Sequence, residues 1–124
     1  MQATGKFEVN LQPQSDDSTP AGRLIIHKKY TDGMVGSGVG QMISKRTEAG
    51  ASVYSAIEEF SGTVDGRSGG FTLFHVGFMS STEQKLEVII VAGSGSGELS
   101  GIQGTLAIKQ EGGDHSYVLD YSLE

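Results

Sequence analysis

The chain has 124 residues, with 15 acidic against 9 basic side chains for a net charge of −6, and no cysteine. That length sets an expectation of one domain over residues 1–124, with a core that needs no covalent staple. The acidic balance argues against a nucleic-acid partner, which needs a basic surface to displace counterions, and the missing thiols exclude disulfides, thiolate metal ligands and a cysteine nucleophile.

The opening MQATGKFEVN has no charged segment followed by an apolar run, so no signal peptide is read there. The longest apolar run, Val88–Ala92, is too short to cross a membrane as a helix. The expectation is a cytoplasmic protein with no membrane partner. Glycine at 19 and proline at 2, with apolar runs between them, read as many turns and bulges joining short strands.

The first strand is expected over Gly5–Gln12, where Phe7, Val9 and Leu11 alternate with Glu8, Asn10 and Gln12. Gln12–Ala21, holding both prolines and Asp16-Asp17-Ser18, reads as a surface loop. Arg23–Thr31 and Met34–Arg46 flank Asp32-Gly33, a two-residue hairpin signal. After the looser loop Glu48-Ala49-Gly50, Ala51–Thr63 and Gly69–Met79 flank a second, Asp65-Gly66. Lys85–Ala92, Gly104–Gln110 and Ser116–Leu123 complete eight strands, with Glu111-Gly112-Gly113-Asp114 as another loose loop. The last strand sets Tyr117, Leu119, Tyr121 and Leu123 on one face. Short links between consecutive strands predict an all-β, eight-stranded antiparallel up-and-down barrel. The alternative, a two-sheet sandwich, needs longer crossovers.

Turn length fixes register and therefore which side chains meet. With Asp65-Gly66 as a two-residue turn, Val64 pairs with Arg67, Glu58 faces Leu73, and His75 is its diagonal neighbour; a turn two residues longer sets Glu58 opposite His75. Either register puts both on one face with Tyr54 and Phe60, leaving Val53, Ile57, Phe74, Val76 and Phe78 on the other. The same arithmetic at Asp32-Gly33 sets Lys29, His27 and Ile25 opposite Gly36, Gly38 and Gly40. That glycine stripe reads either as barrel curvature or as space for a ligand beside His27.

The candidate ligand-binding pocket is therefore His27, Tyr54, Glu58, His75 and Tyr121. A carboxylate beside an imidazole in an apolar cavity can move protons; equally, it is a satisfied buried polar pair that fixes register. No catalytic residue is assigned. Lys28-Lys29 and Lys45-Arg46 read as solvated strand ends, and His115 as a residue of an exposed polar loop. The three histidines have no short metal-ligand spacing, so no metal and no cofactor are expected. Leu86–Gly97 resembles the start of a dinucleotide site, but its glycine spacing fails and no helix follows; no serine sits in a nucleophile elbow.

Three stretches, Phe60–Phe71 continued through His75 and Gly77, Gly93–Gly104, and Tyr117–Tyr121, together with Ala3–Val9, resemble a bacterial domain family of unknown function (DUF3224-like). That family is related in fold to allene oxide cyclases and dirigent proteins, whose fingerprint is Gly-x-Gly-x-aromatic-x-Gly-x-x-Gly. Gly95–Gly104 is similar to it, with Leu99 in the aromatic place. The resemblance implies an eight-stranded barrel with an apolar cavity, usually oligomeric. It implies no activity, since the cyclases' ligand-polarising residues have no counterpart here. The expectation is a protein that binds a small hydrophobic or amphipathic ligand in the barrel and forms a homo-oligomer. The alternatives are a cofactor-free isomerase or cyclase acting on such a ligand, and a structural or assembly protein whose barrel is filled by side chains.

Overall fold

A computed structural model describes residues 1–14 and 20–123. Its strands are β1 (Gln2–Gln14), β2 (Gly22–Tyr30), β3 (Met34–Arg46), β4 (Ser52–Val64), β5 (Arg67–Met79), β6 (Gln84–Ile90), β7 (Ser96–Gly97), β8 (Gln103–Glu111) and β9 (Asp114–Ser122). The eight long strands pair antiparallel in chain order, and β9 returns to β1 from Gln2↔Asp120 to Phe7↔His115. The sheet is thus a closed up-and-down barrel, as expected, and not a sandwich. The short β7 only bridges to β5 at Gly69 and Gly70.

Three local expectations need correction. First, β1 runs on to Gln14, so Gln12–Gln14 pair with Arg23–Ile25 instead of looping; residues 15–19 of that segment lie outside the described residues. Second, the Glu111–Asp114 link is a tight hairpin, because Gly112 and Gly113 both take positive φ (56° and 89°) and so match the strand twist.

Third, and with most consequence, the Asp32-Gly33 hairpin is wider than a two-residue turn. The glycines of β3 pair as Tyr30↔Gly36, Lys28↔Gly38 and Ile26↔Gly40. Thr31 N and Gly33 N donate to Lys6 O and Thr4 O of β1 (3.0 and 2.9 Å), not across the hairpin. The Tyr117 hydroxyl accepts from Met34 N and donates to Thr31 O, each at 2.7 Å. These bonds replace the ones a tight turn would make. One residue of slip exchanges the two faces of β2, turning Lys28 inward and His27 outward. By contrast Val64↔Arg67 and Glu58↔Leu73 follow the two-residue reading of Asp65-Gly66.

The core fills one end of the barrel. Tyr30 packs edge-on against Phe60 and Tyr117 at 5.4 and 5.5 Å, with Phe7 and Phe71 beside them. The glycine-rich segment after β6 folds over this end and plugs it with Leu99 and Ile102, both fully buried. Positive φ at Gly97 and Gly101 (60° and 80°) lets the backbone turn that tightly. Among the described residues no such plug covers the opposite end, where inward side chains of β1, β3, β4 and β6 surround an opening.

Candidate functional site

Below that opening lies a cavity of about 260 Å³. Strand alternation supplies its walls: Val9 and Leu11 from β1, Ile26 from β2, Met42 from β3, Leu86 from β6 and Ile108 from β8. Phe7, Phe78 and Met79 complete the apolar lining, and Ser52, Gln84, Lys85 and Gln110 stand among the polar residues around it. Tyr54 also lines the cavity, its ring laid on Gly77, where a Cβ would overlap it. Burial pushes the Tyr54 phenol up, so it stays neutral.

The buried charged and hydrogen-bonded groups sit at the inner end. Glu58 is fully buried, and both of its oxygens are engaged. Oε1 accepts from Lys28 Nζ at 3.0 Å and meets His75 Nε2 at 2.9 Å; Oε2 accepts from the Tyr30 hydroxyl at 2.5 Å. Burial pushes the carboxyl up, but the His75 hydrogen bond, the Lys28 charge and the Tyr30 hydrogen bond outweigh it and hold Glu58 at about 2. An ionised carboxylate only accepts, so Nε2 is the donor of the His75 pair. Burial and the adjacent Glu58 charge push the Tyr30 phenol well up, so it remains a neutral donor.

Lys28 and His75 reach the cavity as well as the carboxylate: both line it. The Lys28 ammonium also lies 4.8 Å from the centre of the Phe7 ring. Among the described residues His75 hydrogen-bonds through Nε2, and Nδ1 makes no hydrogen bond.

The glycine stripe has a definite purpose. A Cβ at Gly38 would overlap the Glu58 carboxylate, and one at Gly40 would meet the β4 backbone. The space is occupied by Glu58 itself, not by a ligand beside His27.

Of the residues expected in the pocket, Tyr54 and His75 line the cavity, and Glu58 hydrogen-bonds His75 without lining it. His27 does not: it is exposed on the outer face, because the β2–β3 register differs by one residue. Tyr121 is buried at the plugged end, where its hydroxyl donates to Asp65 Oδ2 at 2.5 Å across the β4–β5 turn. Burial and that carboxylate push its phenol up. Lys28, read as a solvated strand end, is a buried member of the cluster at 8% exposure, while Lys29 is exposed. His115 lies on β9, not in a loop, and packs against Phe7 at 5.2 Å. The signal that finds Lys28 is the glycine opposite it: Gly38 is the gap into which the Glu58 carboxylate fits.

A larger hollow of about 590 Å³ lies along Lys6–Val9, Lys29 and Gly113–His115. Its charges are exposed, the Lys6–Asp114 pair (3.7 Å) included, so it lacks the desolvated polar groups of the barrel cavity. Among the described residues no cluster of three histidine or acidic side chains is placed to hold a metal ion. No helix is long and apolar enough to cross a membrane.

A protein from Shewanella oneidensis MR-1, described as of unknown function and from the DUF3224 family, has a crystal structure similar to this one. It is 35% identical, with a TM-score of 0.93 over 100% of this chain and 97% of that one. No curated protein matches the chain. The sequence profile "Protein of unknown function (DUF3224)" matches residues 3–121, nearly the whole barrel, and the chain belongs to that family.

Proposed function

We propose that the barrel binds a small amphipathic molecule, tail along the apolar walls and polar end at Lys28 and His75. The supporting observation is the division of the interior: one end packed solid, the other, among the described residues, open around a cavity of about 260 Å³ with the buried Lys28 and His75 in its lining. Convergent polar groups in an apolar hollow orient a ligand, and this volume lies just under the roughly 300–1,000 Å³ of pockets for drug-sized molecules. A small ligand fits it. The remaining cavity space argues against a barrel filled entirely by side chains. Native mass spectrometry of the protein freshly purified from its own host tests the reading. A co-purified small mass that is lost in a Met42→Trp variant supports it; a clean apo mass that also stays apo with added amphipaths counts against it.

A second reading, a cofactor-free isomerase or cyclase, draws on one observation: Glu58 orients His75 with Nδ1 free. A carboxyl held at about 2 is a poor proton carrier at neutral pH, so Glu58 positions the ring and His75 is the group that would exchange the proton. The outer face of β3–β6 supports a homo-oligomer. There Ile57 pairs with Phe74 and Phe74 with Ile89, and all three are at least 36% exposed.

A further inference from the structure

We infer that the ligand is a small carboxylic acid with an apolar tail, its carboxyl group seated between Lys28 Nζ and His75 Nδ1 and taken up together with one proton. This rests on the cavity reading above and adds the chemistry of the head group.

Charge and hydrogen-bond balance select the head group. Around His75, β2 presents Lys28 and Tyr30, β4 presents Glu58 and Tyr54, and β6 presents Val88 opposite the ring and Lys85 at the cavity lining. The cavity residues of β1, β3 and β8 carry no charge. Lys28 and Glu58 cancel one another, Lys85 is exposed to solvent and screened there, and the two phenols are neutral. A bare anion would therefore add an uncompensated charge to a buried site. A ketone, ester or aldehyde would accept from the ammonium but offer Nδ1 no proton, leaving that nitrogen without a donor. An alcohol would satisfy Nδ1 without forming a charge-assisted bond there.

A carboxyl group meets both demands. One oxygen accepts from an N–H of the ammonium, which has three donors and uses one on Glu58 Oε1. The acid proton passes to Nδ1. The product is a carboxylate between an ammonium and an imidazolium, and the imidazolium lies between two carboxylates, one of the ligand and one of Glu58. No net charge enters the barrel, and no co-reactant is needed. Because the ligand is ionised in neutral solution, the proton comes from the medium.

Calorimetric titration of the full chain with hexanoate, hexanol and methyl hexanoate, in two buffers of different ionisation heat, tests this. Hexanoate is expected to bind at least about tenfold more tightly than the other two, since charge-assisted bonds are roughly twice as strong as neutral ones. It is expected to take up close to one proton per site, with affinity falling up to about tenfold per pH unit as the medium turns alkaline. A Lys28→Met variant is expected to lose the preference for the acid over hexanol. Equal binding of all three probes overturns the head-group inference while leaving the apolar cavity standing. Preferential hexanoate binding without proton uptake also overturns it, since His75 then takes no proton. Failure of all three to bind, in wild type at every pH, removes the cavity reading itself.

Discussion

A lysine ammonium in a barrel interior is tolerable only beside a carboxylate, and Glu58 meets that need for Lys28 at 3.0 Å. Glu58→Gln leaves the ammonium uncompensated and is expected to cost about 3–5 kcal/mol in urea unfolding. The Lys28→Met/Glu58→Gln double variant should lose clearly less than the two single losses added, because the uncompensated charge is gone. Equal additivity would mean the pair does not act as a unit. The depressed Glu58 carboxyl also sets an acid limit. Its folded value, about 2, lies below its usual 4.5, so its contribution is complete above pH ~4.5 and is lost as pH falls toward 2. The shift corresponds to stabilisation on the order of 3 kcal/mol. Denaturation midpoints followed from pH ~5 to ~2 should fall more steeply for wild type than for Glu58→Gln; parallel curves would contradict the assignment. Glu58 and His75 were legible as neighbours because one turn, Asp65-Gly66, fixed their register. Lys28 was not, because local composition cannot show which of two adjacent lysines faces inward.

At the scale of elements, the β2–β3 hairpin shows why turn chemistry alone misleads. Asp32-Gly33 has the residues of a two-residue turn, and Asp32 does take positive φ, 77°. The partners that widen it come from β1 and from Tyr117, 83 residues from Met34 in the chain. No window around the turn contains them. Tyr117→Phe removes the acceptor for Met34 N and the donor to Thr31 O. The expected cost is about 1–3 kcal/mol, with faster hydrogen exchange at the Met34 amide than in wild type. An unchanged exchange rate would show that the hydroxyl does not hold the turn. At Asp65-Gly66 the long-range bonds, from Asp65 N to Gly33 O at 2.9 Å and from the Tyr121 hydroxyl to Asp65 Oδ2, leave the Val64↔Arg67 pairing of a two-residue turn intact, so there local geometry decides.

For the whole molecule, closure and strand order followed from alternation and short links, since an all-antiparallel sheet without long crossovers has few other ways to protect its edges. Which end would be packed was not legible, because the plug made by Leu99 and Ile102 depends on how the glycine-rich segment folds back over the barrel. The apolar stripe on β4 and β5 was visible as a second face; its exposure in the single chain belongs with the proposal of self-association. Sedimentation is expected to give an oligomer for wild type and a smaller species for Ile57→Lys, and a wild-type monomer at all concentrations would remove that proposal.

The proposed ligand site is the open half of the barrel. Methyl-resolved NMR during titration with hexanoate addresses it most directly. The predicted result is saturable shifts at Leu11, Ile26, Met42 and Ile108, which line the cavity, with Leu99 and Leu119 at the packed end unmoved. Shifts only at outward methyls such as Val39 and Ile57, or none at saturating probe, would contradict it.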